Sequence, residues 1–264
     1  MKKILILTLC LQFCGAVFSS AEEPFKKHNW EIGPEISYIR YEEPDVMKEE
    51  GIMYGLGGSY AYHNNWMFKV EGNGMYGQVD YTGSGTLDNI PDYKFEIRGL
   101  AGYDFPAGQT TYLTPYLGLG YRYLNDDSSG KLSSTGAAGY DRESNYFYTP
   151  VGLQTITELN GKWSLGLNAE YDYLWAGKQI SHLEDVNPGY GTLKNDQKNG
   201  WGLRGSVQLK KKGETADFLA EPYVRYWSIE ESEISSVTTQ QYIISGYEPK
   251  NNSTEIGMKL AVSF

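Results

Sequence analysis

The sequence predicts an all-β fold: a single antiparallel β-barrel of about ten strands that crosses a membrane. Three observations lead there. Apolar residues return at every second position in ten separate runs, the mark of strands with one apolar face. No stretch beyond the first two dozen residues is long and apolar enough for a membrane helix, although the chain carries 23 Tyr, 9 Phe and 6 Trp. The links between runs alternate short and long. A closed barrel is the one route through lipid that such strands allow, because every backbone donor and acceptor must find a partner inside the sheet.

The chain opens with MKKILILTLCLQFCGAVFSSAEEP. Lys2 and Lys3 precede an apolar run from Ile4 to Phe18, and small residues follow at Ser19, Ser20 and Ala21. This is the pattern of a secretory signal cleaved after Ala21, which leaves a barrel domain over 22–264. The run of about 15 residues is too short to span a bilayer, which takes ~20. Leu9 and Phe13, the residues before Cys10 and Cys14, do not suit lipoprotein processing. Both cysteines leave with the signal, so the mature chain has no disulfide and no thiolate. The formal charge of −10 becomes two units more negative without Lys2 and Lys3. So acidic an exported chain is not a nucleic-acid binder.

The runs follow in order. Trp30, Ile32, Pro34, Ile36 and Tyr38 face outward, opposite Glu31, Gly33, Glu35 and Ser37. Ile52, Tyr54, Leu56, Tyr60 and Tyr62 form the second apolar face, and Trp66, Phe68, Val70 and Tyr76 the third. The fourth is the cleanest, with Tyr93, Phe95, Ile97, Ala101, Tyr103 and Phe105 outward and Lys94, Glu96, Arg98 and Asp104 inward. TYLTPYLGLGYRYL points Leu113, Leu117, Leu119, Tyr121 and Tyr123 outward and Tyr116, Gly118, Gly120 and Arg122 inward. The sixth run is weaker, with Phe147, Val151 and Leu153 opposite Gln154 and Glu158. WSLGLNAEYDYLWAG sets Trp163, Leu165, Leu167, Ala169, Tyr171 and Tyr173 against Ser164, Gly166, Asn168, Glu170 and Asp172. The last three place Trp201, Leu203, Val207 and Leu209, then Phe218, Ala220, Val224 and Tyr226, then Ile256, Met258, Leu260, Val262 and Phe264 on the apolar face.

An even number of strands puts both ends of the chain on one side. Short turns are expected at 63–65, 106–110, 159–162 and 210–217, and long external loops near 41–50, 80–92, 124–144, 176–199 and 230–252. Trp30, Trp66 and Trp163 each open an ascending strand and so share one depth; with Trp201 they are the expected interface girdle.

The closing TEIGMKLAVSF, with terminal Phe264, resembles the signal that the assembly machinery of bacterial outer membranes reads. Together with the leader and the strands TPYLGLGYRYL and EPYVRYWSI, the chain is similar to the small outer-membrane β-barrel proteins, the OmpA-like and opacity-like barrels. The resemblance spans about residues 28 to 264 and implies a cell outer membrane of a Gram-negative bacterium, contact with membrane lipids and lipopolysaccharide, and a monomer. It says little of activity. The chain departs from the OmpA pattern in its ten strands and in having no peptidoglycan-binding domain after them.

Inward positions hold ten acids (Glu31, Glu35, Glu71, Glu96, Asp104, Glu158, Glu170, Asp172, Glu221, Glu255) and seven bases (Lys69, Lys94, Arg98, Arg122, Arg204, Arg225, Lys259). A barrel of this size is filled by side chains, so interlocked ion pairs are expected. The network is expected to centre on Lys94, Glu96, Arg98, Arg122, Glu170, Asp172, Arg204, Glu221, Arg225, Glu255 and Lys259, with Arg204 and Arg225 as partners for Glu170 and Asp172. The remaining acids fall in the long loops and suggest an acidic surface.

Glu170 and Asp172 stand two apart on a strand, about 6.6 Å, which overlaps the spacing of some acid/base carboxylate pairs. Arginines at their level argue for structural ion pairs instead, since a general acid needs an apolar pocket. An omptin-like protease, also a ten-stranded barrel, carries an Asp-x-His and a pair of aspartates in its loops. Here His28 and His63 lie on the wrong side, His182 follows Ile180 at the Asp position, and Asp88 and Asp92 are four apart. Asp126 and Asp127 in LNDDSSG lack a calcium-loop ladder and suit a turn. Lys210, Lys211 and Lys212 form a basic turn. No catalytic residue, metal site or cofactor is expected. The expectation is a structural or cell-surface interaction protein with a charged, largely filled lumen. A narrow channel for small solutes or ions is the alternative, and an omptin-like surface hydrolase a more remote one.

Overall fold

The computed structural model describes residues 25–264; the expected signal segment lies outside the described residues. The chain forms β1 (His28–Glu43), β2 (Met47–Asn64), β3 (Trp66–Gly83), β4 (Gly85–Tyr103), the short β5 (Phe105–Pro106), β6 (Thr111–Asp127), β7 (Asp141–Asn160) and β8 (Trp163–His182). After a 3₁₀ turn at Leu183–Asp185 come β9 (Thr192–Gln197), β10 (Gly200–Lys211), β11 (Asp217–Ile229), the small hairpin β12 (Ser235–Thr238) and β13 (Ile243–Gly246), and β14 (Asn251–Ser263). Each main strand pairs antiparallel with its neighbour, β14 pairs with β1, and β8 pairs with β10. The sheet therefore closes. β9 continues the line of β10 along the upper part of β8, so the barrel has ten strands.

The two faces fall as the alternation predicts. Ile32, Leu56, Val70, Ile97, Leu119, Val151, Leu167, Leu203, Val224 and Ile256 point out of the barrel and stay exposed, while Glu35, Asn73, Glu96, Arg122, Glu170, Arg204 and Glu255 are buried inside. Trp30, Trp66 and Trp163 begin β1, β3 and β8 at the end where the chain termini meet. Trp201 lies at the other end: it pairs with Tyr173, ten positions from the Lys211–Trp163 pair. With Tyr171, Tyr226, Trp175, the Tyr76–Tyr93 pair and the Tyr121–Phe147 pair it belongs to a second, outer aromatic belt.

The strands run further than the sequence suggests. The expected loops at 41–50 and 80–92 shrink to tight turns around Asp45, at φ 65°, and Gly85, at φ 115°. Above the outer belt the outward residues become Arg40, Glu42, Lys48 and Glu50, so the hydrophobic period disappears while the hydrogen-bonded ladder continues. The expected basic turn is also shorter: Lys210 still faces the lumen, where its Nζ lies 3.2 Å from Glu31, and Lys211 lies over the Trp163 ring.

A bulge interrupts β8. Phe147 pairs with Ala176 but Tyr148 pairs with Leu174, which leaves Trp175 as the extra residue. The inward set changes from Glu170, Asp172 and Leu174 to Gln179 and Ser181, and His182 is thereby turned to the outer surface.

Candidate functional site

The lumen is the place where charged side chains converge, and three tyrosines organise it. Tyr116 stands directly opposite Gly152 in the ladder, Tyr148 opposite Gly120, and Tyr223 opposite Gly257. A β-carbon at any of these glycines would lie 2.2–2.4 Å from the facing ring. The glycines thus leave room for each ring to lie against the wall, which aims its hydroxyl at the middle of the barrel. Tyr148 donates to Glu96 at 2.6 Å, Tyr116 to Glu170 at 2.7 Å, and Tyr223 to Glu255 at 3.2 Å.

Arg204 is the hub. Its Nε lies 2.8 Å from Asp172 and 3.1 Å from Glu170, Nη1 donates to Glu96 at 2.8 Å, and Nη2 contacts the same carboxylate. Arg98 bridges Glu170 and Glu71. Lys94 reaches across the barrel to Glu255 at 2.5 Å, and Arg225 approaches Glu255 at 3.4 Å and Glu35 at 4.0 Å. Lys259 lies between Glu31 at 3.6 Å and Glu221 at 3.8 Å. Arg122 has no carboxylate partner among the described residues; it donates to Ser253 at 3.2 Å and sits 5.6 Å from the Trp227 ring centre.

All eleven residues singled out for the network therefore face the lumen, and the geometry joins ten of them in ion pairs. One pairing differs from expectation: Arg225 serves Glu255 and Glu35, and the second arginine at Glu170 is Arg98. Arg98 comes from a strand across the lumen, a neighbour that only closure of the sheet creates.

Glu170 and Asp172 are enclosed by the ion-pair network. Asp172 is 0 % exposed and Glu170 is held by two arginines and a phenol. Neither faces a space that would admit a substrate. Only about 80 Å³ is open beside the network, with about 390 Å³ at the termini end near Phe25 and Lys26 and about 200 Å³ at the outer end near Glu43 and Arg142.

Two features of the lumen go beyond the sequence reading. Above the ion pairs lie two apolar clusters, one of Ile39, Met53, Met75, Val79 and Ile90, the other of Tyr146, Tyr148, Leu174, Trp227 and Ile229. Trp227 could have been recognised, since it follows the outward Tyr226 by one residue. The second feature is an outer ion cluster: Arg142 contacts Glu43 at 2.7 Å, Glu49 at 3.1 Å and Asp126 at 3.5 Å. These acids were expected on loops and are instead lumenal. Beside them Glu248 accepts from Tyr41 at 3.2 Å; burial, reinforced by Glu43 and opposed by Arg142, raises its carboxyl to about 7.

The histidines are dispersed. His63 ends β2 inside the barrel, 2.8 Å from Asp104, which also accepts from Thr114 at 2.6 Å. The hydroxyl meets the carboxylate and not the imidazole, so no nucleophile is activated. Asp92 points into the lumen, Asp88 is exposed, and His182 faces Glu143 and Glu184 on the outer rim.

The model of the outer membrane protein beta-barrel domain matches residues 6–204. The chain belongs to this outer-membrane β-barrel family. It is therefore a protein of the outer membrane of Gram-negative bacteria, and the belts of aromatic residues mark its two membrane interfaces. No curated protein matches the sequence. Among solved structures, the outer membrane protease OmpT from Escherichia coli shares the fold with a TM-score of 0.62 at 10% identity, over 90% of this chain and 96% of that one. The translocator domain of the autotransporter NalP from Neisseria meningitidis gives a TM-score of 0.43 at 14% identity, covering 90% and 89%. The Ralstonia pickettii toluene transporter TbuX gives 0.38 at 8%, also covering 90% and 89%.

Proposed function

We propose that this outer-membrane barrel is a sealed structural element that presents a cell-surface interaction hairpin, and that it is neither a channel nor an enzyme. The filled lumen carries the reading. A layer of cross-barrel ion pairs around Arg204 is capped by the Trp227 cluster, with Trp227 itself 2 % exposed. Buried charges tied to partners on opposite walls hold those walls together and leave no row of loosely held sites for ions to hop between.

The surface role is supported at the outer end. Ile234, just before the β12–β13 hairpin, and Ile243 within it are 73 % and 75 % exposed, beside Tyr242 and Tyr247. Large apolar side chains held in water on the external side are a contact surface in search of a partner.

Planar-bilayer recording tests the sealed lumen. Folded wild-type protein gives no unitary current, and Trp227→Ala combined with Arg204→Ala gives one. Stable currents from wild type would favour the channel. The hairpin is tested by the retention of cells displaying the protein on a hydrocarbon surface, which Ile234→Ser with Ile243→Ser reduces.

A further inference from the structure

The outer rim holds a second cluster that the sealed barrel does not explain. Asp141 and Glu143 of β7 and His182 of β8 each present a ligand atom, and these atoms lie within 4.8 Å of one another. They sit on the outside of the sheet. Asn125, beside them on β6, is the ladder partner of Tyr93 in the outer aromatic belt, so the group stands just above the membrane interface.

Its electrostatics are unfavourable as a purely protein arrangement. Asp127 and Asp141 are direct ladder partners, and like charges directly opposite destabilise a sheet. Glu184 and Asp185 close in from the 3₁₀ turn, Asp185 accepting the Asp141 backbone N–H at 3.0 Å. Among the described residues no lysine or arginine forms an ion pair with any of these five acids, and His182 is their one cationic partner. Glu184 also keeps one carboxylate oxygen, Oε2, out of solvent without a hydrogen-bond partner.

The supports are arranged as around a metal. His182 Nδ1 lies 3.3 Å from Glu184, which Thr192 holds through a 2.6 Å hydrogen bond, and Nε2 is directed at Glu143 at 2.9 Å. Asp141 is held by Asn125 at 2.5 Å. A carboxylate on one imidazole nitrogen, with the other aimed at further ligands, is how proteins fix a ligating histidine. We propose that Asp141, Glu143 and His182 form a binding site for a divalent transition-metal ion of the Zn²⁺ class. One nitrogen and two carboxylates suit a borderline ion better than Ca²⁺ or Mg²⁺, which take oxygen alone. Three protein ligands would leave a fourth coordination position free. Expected in the fourth long loop, His182 instead ends β8, where only the Trp175 bulge turns it toward Glu143.

Isothermal titration of Zn²⁺ into the folded, detergent-solubilised protein, with Co²⁺ absorption as a second readout, tests the site. Wild type takes one ion and gives Co²⁺ ligand-field bands. His182→Ala abolishes both, Glu184→Gln lowers affinity roughly tenfold through the orientation of the imidazole, and His28→Ala changes neither. Heat-modifiable gel migration verifies that each variant is folded. The proposal is overturned if folded wild type takes no ion and the histidine is an ion-pair partner only, if His182→Ala retains the affinity, or if Ca²⁺ competes with Zn²⁺ on equal terms.

Discussion

Gly120→Ala probes whether the tyrosines are seated by glycine. The added β-carbon would stand 2.2 Å from Cζ of Tyr148 and 2.6 Å from both its ring Cε atoms. An ordinary contact needs at least about 3.4 Å, so the ring must move by more than 1 Å or the strands must part. Tyr148 has little freedom to move: Glu96 holds its hydroxyl at 2.6 Å, Arg204 lies 3.0 Å from the same oxygen, and Trp227 packs on the ring at 5.0 Å. Overpacking of this kind costs about 1–3 kcal/mol, and a lost hydrogen bond to a charged partner adds about 1.5–3 kcal/mol. Together they lower the folded-to-unfolded ratio by at least tenfold. Gly99→Ala is the control, because its β-carbon would meet nothing within 4 Å on the outer face. Urea unfolding in lipid vesicles, followed by tryptophan fluorescence, measures both. If Gly120→Ala unfolds at the same midpoint as Gly99→Ala, seating of the rings by glycine is not what directs their hydroxyls.

Arg204→Met leaves Glu96, Glu170 and Asp172 short of a shared cation and lowers unfolding stability by about 3–5 kcal/mol; a loss under 1 kcal/mol in the same urea assay would remove Arg204 as the hub. The outer cluster makes stability depend on pH. With Glu248 raised from 4.5 to about 7, the folded state holds a proton that the unfolded state releases, so this contribution is full below about 4.5 and is lost as pH rises through about 7. The change is at most about 3 kcal/mol, and Glu248→Gln flattens the urea midpoint between pH 5 and pH 8; an unchanged slope in the variant would assign the dependence to other groups.

Much of this barrel is legible along the chain because a strand carries its environment in its own period. Tyr93, Phe95 and Ile97 must meet lipid if Lys94, Glu96 and Arg98 are to avoid it, and one residue of slip would reverse every face. The same logic fails where both sides are polar. Arg40 and Glu42 outside, with Tyr41 and Glu43 inside, give no hydrophobic period, so the upper strands look like loops although their ladder is intact. A bulge such as that at Trp175 is likewise silent, since one extra residue in an aromatic run leaves the composition unchanged.

The sequence by itself determined the barrel, the side of the sheet for each transmembrane residue and the charges of the lumen's middle, all of which follow from local alternation; the outer-end charges Glu43, Glu49, Asp126 and Arg142 lie where that alternation gives out. Tertiary structure decided the partners. Lys94 and Glu255 are 161 residues apart, and Arg98 meets Glu170 from across the lumen, because closing ten strands into a ring sets distances that no local pattern encodes. It also decided that Trp227 caps the ion layer and that His182, through one extra residue in β8, joins Asp141 and Glu143 on the outer rim.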